Sequence, residues 1–74
     1  MELDKLEVHP EELKGIQTGE VKRFDFDQGT TLPRVALLQT PSKDYEVIGE
    51  RISQGEMGGR IVASYRIQKV SEPV

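Results

Sequence analysis

The last long segment, RIVASYRIQKV at residues 60–70, constrains the fold most, because its side chains alternate in character. Ile61, Ala63, Tyr65 and Ile67 fall on one face and Arg60, Ser64, Arg66 and Gln68 on the other, the period of two that a strand imposes. Val62 and Val70 share the second face, so it is not wholly polar. Residues 21–27, VKRFDFD, repeat the pattern: Phe24 and Phe26 point one way, and Arg23, Asp25 and Asp27 the other. Each of these strands has one face to bury and one that carries charge.

The rest of the chain reads as short elements between breakers. Residues 5–9 are expected to form a first strand. His9-Pro10-Glu11-Glu12-Leu13 then marks a helix start: Pro at the first helical position loses no useful N–H, and carboxylates in the first turn favour the positive end of the dipole. Leu13 and Ile16 lie three apart on one buried face, and Thr18-Gly19 is read as the stop, giving a helix over residues 10–18. Gly29 and Pro33 flank a loop at 28–33. RVALLQT at 34–40 has the continuous apolar character of a strand covered on both faces and is taken as the central strand. Pro41-Ser42-Lys43-Asp44 supplies turn chemistry. YEVIGERI at 45–52 follows as a strand in which Gly49 marks a bulge or a close backbone approach. SQGEMGG at 53–59 holds three of the seven Gly and is read as a flexible loop; residues 71–74 are read as a frayed tail. The predicted order is β-α-β-β-β-β, a mostly β (α+β) fold of about five strands and one short N-terminal helix.

At 74 residues the chain is one domain, 1–74, and a domain this small buries only about 60% of its unfolded surface, so its stability is modest. With no Cys there is no disulfide framework, thiolate metal site or Cys nucleophile, which fits a reducing compartment. The longest apolar run, Val35-Ala36-Leu37-Leu38, is far short of the ~20 residues of a membrane span, and the N-terminus lacks a basic-then-apolar signal pattern. A soluble, cytoplasmic protein with no membrane role is expected. The net charge of −3 argues against sequence-independent coating of nucleic acid. Residues 1–27 hold eight of the 13 acidic and four of the ten basic side chains, which places the more basic surface in the second half.

Candidate chemistry is sparse. His9 is the only His, and Glu11, Glu12, Asp25 and Asp27 do not follow a calcium-loop spacing, so no metal and no cofactor is expected. Gly55, Gly58 and Gly59 match no phosphate-binding loop. Arg51, Arg60 and Arg66, with Tyr65, could form a patch for phosphate contact and base stacking if strands 45–52 and 60–70 are neighbours, although Tyr65 lies on the face opposite Arg66.

The order of strand, HPEEL helix, TGE turn and Lys-x-x-acidic strand resembles the start of the ASCH domains, small β-barrels related to the PUA RNA-binding domain. Against the family pattern GxKxxExR, Gly19, Lys22 and Asp25 fill the first three places with Val21 as an insertion. Asp27 stands in the last place, where the family carries Arg. RVALLQTPSKDYEVIGE resembles the family's next hairpin, with Pro41, Gly49 and Glu50 in the corresponding positions, so the likeness spans roughly residues 6–70. Family members often carry extra elements before the last strand, which makes this chain a minimal form. The resemblance implies a PUA-like open β-barrel with the helix over an open end. It also implies a non-catalytic module binding RNA or a modified nucleobase or nucleotide in a cleft between helix 10–18 and the barrel. Lys22 and Arg23 would meet phosphate or carbonyl oxygens there, and Asp25 would accept from an exocyclic amine. An alternative is a small acidic protein-interaction adaptor, dimeric or not, that uses its first half or an unpaired strand edge and has no nucleic-acid role. A third reading, implied by the family's small amidohydrolases acting on acetylated cytidine, makes Lys22 and Asp25 a catalytic pair. The hydroxyl expected beside the Lys is missing, since Arg23 and Phe24 follow it, and the balance is against an enzyme.

Overall fold

A computed structural model describes residues 3–71. The elements follow in the order β1 (Asp4–Glu7), α1 (Pro10–Leu13), β2 (Val21–Phe26), β3 (Val35–Gln39), β4 (Glu46–Met57) and β5 (Arg60–Ser71). They form one five-stranded sheet, β1-β3-β4-β5-β2. β1 runs parallel to β3, from Asp4↔Ala36 to Glu7↔Gln39, and every other neighbour is antiparallel. The fold is therefore mostly β with one helical turn, in the expected order. The Cα radius of gyration, 11.5 Å, is close to the roughly 11 Å of a compact chain of this length.

The core follows the alternation. Ile61, Ala63, Tyr65 and Ile67 of β5 are all buried, as are Phe24 and Phe26 of β2, Ala36 and Leu38 of β3, and Val47 of β4. Leu13 and Ile16 close over them from the α1 segment, and both are buried. Phe24 meets Tyr65 edge-on, at a centroid distance of 6.3 Å and an interplanar angle of 66°. The buried Tyr65 hydroxyl donates to the Pro33 carbonyl at 2.8 Å, and the Arg51 guanidinium donates to the Leu32 carbonyl. These two bonds pin the loop before β3 against the sheet.

Four expectations are corrected. α1 is one turn, not a helix over 10–18, because Gly15 adopts a left-handed φ of 73° and Lys14, at ψ 123°, already leaves the helical region. The middle strand is β4, not β3. The apolar run of β3 has Ala36 and Leu38 fully buried on one face and Val35 and Leu37 only half-buried on the other, so it required no central place. Residues 53–57, read as part of a loop, continue β4, with registers Ser53↔Ser64 through Met57↔Arg60. The Gly58-Gly59 turn, with φ of 59° and 77°, reverses the chain in two residues, the pattern of a type I′ hairpin. Finally, Ser71 ends β5 instead of starting a tail; residues 72–74 lie outside those described.

Gly49 has the close approach its place in a strand suggested. A Cβ there would lie 3.2 Å from the Tyr65 Cβ, and the β4–β5 register shifts between Ile48 and Gly49. A second shift falls between Arg51 and Ser53, where β4 passes the end of β3. Among the described residues no helix is long and apolar enough to cross a membrane.

Candidate ligand-binding cleft

The two edge strands of the sheet, β1 and β2, are not joined by any ladder among the described residues, yet both line one cleft of about 810 Å³. Residues of both edge strands thus share one cleft, to which the start of α1 also contributes. β1 contributes Lys5 and Glu7; the turn into α1 contributes His9, Pro10 and Glu12. Asp25, Phe26 and Asp27 come from the end of β2, and Arg60 from the start of β5. Phe26 reaches this wall because it pairs with Ile61, which also brings Arg60 beside Asp27. Arg60 Nη1 lies 2.9 Å from Asp27 Oδ1 in an exposed ion pair.

Glu12 is the side chain least at ease in this wall. It is half-buried, and its Oε2 is sealed from solvent with no hydrogen-bond partner among the described residues. Burial raises its pKa above the usual carboxylate value, Lys22 opposes the rise, Asp25 adds to it, and His9 opposes it more weakly. Counted over the lining, Glu7, Glu12, Asp25 and Asp27 face Lys5 and Arg60, so the cleft is acidic on balance. Such a wall accepts hydrogen bonds better than it attracts phosphate.

The residues singled out from the sequence fall in several places. Asp25 and Arg60 line the cleft. Lys22 is half-buried on the Phe24 and Phe26 face of β2, behind the cleft wall and close enough to bear on Glu12. Lys22 and Asp25 thus project to opposite faces of β2 and form no ion pair. Arg23 is exposed on the outer face, where it lines a shallow second groove of about 260 Å³ with Ser53–Met57 of β4. Arg51 is engaged with the Leu32 carbonyl, and Arg66, exposed on the outer face, sits in register between Val21 and Glu50. The structure therefore brings Asp25 and Arg60 together, sets Lys22 behind them, and leaves Arg23, Arg51 and Arg66 elsewhere.

Glu12, Glu7 and Lys5 were not singled out from the sequence. Glu12 has a reading of its own there, as a first-turn carboxylate complementing the helix dipole, and that reading hides its position beside the buried Leu13. Among the described residues no group of three or more His, Asp or Glu side chains is placed to hold a metal ion. Comparison with protein-family models, with curated proteins and with solved structures finds no match.

Proposed function

We propose that the protein is a non-catalytic binding module of ASCH and PUA-like type, an open barrel that takes RNA or a modified nucleobase or nucleotide in the cleft between α1 and the sheet edges. The observation that carries this reading is the cleft itself, framed by the opening turn and by the strand that follows it, with Asp25 of the GxKxxExR-like stretch in its wall. The lining favours the base over the phosphate. Carboxylates at Glu12 and Asp25 suit the exocyclic amine and ring N–H of a base edge, whereas a phosphate would meet four carboxylates and two cations. Arg60 supplies the donor for a carbonyl on the same edge, once it turns from its exposed pairing with Asp27. Lys22 acts from behind, its charge favouring the ionised form of Glu12.

The test is an NMR titration of labelled protein with nucleosides, nucleotides and a short single-stranded RNA pool. Shifts are expected to cluster at residues 9–13 and 19–27, to be stronger for a nucleoside than for its 5′-phosphate, and to weaken in Lys22→Ala. A well-dispersed β spectrum that stays silent at those amides with every ligand would remove the reading.

A further inference from the structure

Four strand edges have no ladder partner among the described residues: one side of β1, one side of β2, the part of β4 beyond β3, and the part of β5 beyond β2, residues 68–71. A free edge offers its N–H and C=O groups to any other strand, and native sheets blunt such edges with charge or Pro. β1 is blunted by Asp4, Lys5 and Glu7, and β2 by Lys22, Arg23 and Asp25; the end of β5 carries Lys69 and no exposed large apolar side chain. The β4 segment Ile52–Met57 is different. Its ladder with β3 stops at Glu50, extended only by the Arg51 N–H donating to the Arg34 carbonyl at 2.7 Å. All six following residues are exposed, none is Pro, and Glu56 is the one charge. Ile52 and Met57 are among the exposed large apolar residues of the molecule, at 45% and 64%.

We propose that this edge pairs antiparallel with the same edge of a second copy of the chain, joining two sheets across a two-fold axis. The occupant follows from the strand's own register. A two-residue turn closes on the pair Met57↔Arg60, so Met57, Gly55 and Ser53 direct their backbone groups to β5 while Gln54 and Glu56 direct theirs outward. Two-fold pairing joins residues on the same face, and with Gly55 on the axis it sets Gln54 opposite Glu56 of the second copy, twice. No carboxylate then meets another, and each Gln54 amide can donate to a carboxylate across the interface. On the other face Ser53 lies opposite Met57 of the second copy, which covers exposed apolar surface. The area is small: a five-residue edge falls below the roughly 1,200 Å² of stable complexes, so the dimer is weak, with a Kd of about 10⁻⁴ M. The pairing edge contributes no residue to the cleft lining, and the proposal does not rest on what the cleft binds.

Sedimentation equilibrium on the full chain across that concentration range tests it. The wild type is expected to pass from monomer to dimer. Gln54→Glu, nearly isosteric and exposed, sets two carboxylates opposite each other and should weaken the dimer at least about tenfold, whereas Gln54→Lys should tighten it. Gln54→Pro, which removes an outward N–H, should leave a folded monomer. A wild type that stays monomeric throughout, or a dimer that responds equally to the Glu and Lys substitutions, overturns the proposal.

Discussion

Burial of the Glu12 carboxyl withdraws water that would stabilise its charge, and the neighbouring Asp25 raises the penalty further, so the folded state holds this proton more tightly than the unfolded chain. With the folded pKa above the unfolded value of about 4.5, the native state binds more protons in the interval between them. Stability therefore falls as pH rises from the unfolded value through the folded one, and stays lower above it. Glu12→Gln removes the ionisation and keeps the shape. Urea denaturation from pH 4 to 8 should find the variant more stable than wild type at neutral pH, with the difference vanishing toward pH 4. The effect is small, because the side chain is only half-buried. A variant less stable at neutral pH, with the deficit shrinking as pH falls, would mean that an ionic contact holds the Glu12 charge. The same proton competes with any ligand donor at Glu12, so occupancy of the cleft by a base edge should strengthen as pH rises past the folded pKa.

At the scale of elements, two glycines set boundaries for different reasons, and substitution separates them. Gly15 ends α1 by backbone conformation: φ is 73°, and nothing lies within 4 Å of the place a Cβ would occupy. Gly15→Ala should cost about 1–2 kcal/mol, and Gly15→Asn should recover most of it, because Asn tolerates the left-handed region. Gly49 is a matter of space: an added Cβ meets the Tyr65 Cβ at 3.2 Å and its Cδ2 at 3.3 Å, and Tyr65 is tied to Pro33. Gly49→Ala should cost roughly 1–3 kcal/mol, and Gly49→Asn more than Ala. Chemical denaturation of the four variants checks the pattern; an Asn that rescued position 49 would contradict it. These positions also explain what was legible in the sequence. Strands with a strict period of two, β2 and β5, could be read residue by residue, since burial enforces the alternation. The end of α1 was missed because Gly15 and Gly19 look equally able to stop a helix, and the first one met prevails. Ser53–Met57 was missed because its composition is that of a loop, while its conformation comes from pairing with β5. In the cleft, Asp25 and Arg60 were within reach of pattern reading; Glu12 was not, because its burial and its nearness to Lys22 and Asp25 depend on how the α1 turn packs on β2, which no local pattern states.

Over the whole molecule, strands of two kinds meet. β3, β4 and β5 are consecutive antiparallel neighbours joined by turns at residues 40–45 and 58–59, so their contacts close short loops. β1 and β2 are placed by distant partners, Leu6 against Leu38 in parallel register and Phe26 against Ile61. Loop-closure entropy makes such pairings late, so the hairpins of β3–β5 are expected to organise the folding transition state before either edge docks. Leu6→Ala, at a buried edge position, should destabilise by about 2–4 kcal/mol and act chiefly by speeding unfolding. Val47→Ala, in the middle strand, should slow folding instead. The cleft lies between the two late edges, and a ligand there bridges them, so it should slow unfolding and leave the folding rate unchanged. Stopped-flow chevrons with and without a nucleoside that binds would show this directly. A ligand that accelerated folding would place β1 and β2 in the nucleus, and the cleft would then be an early feature of the fold instead of its last.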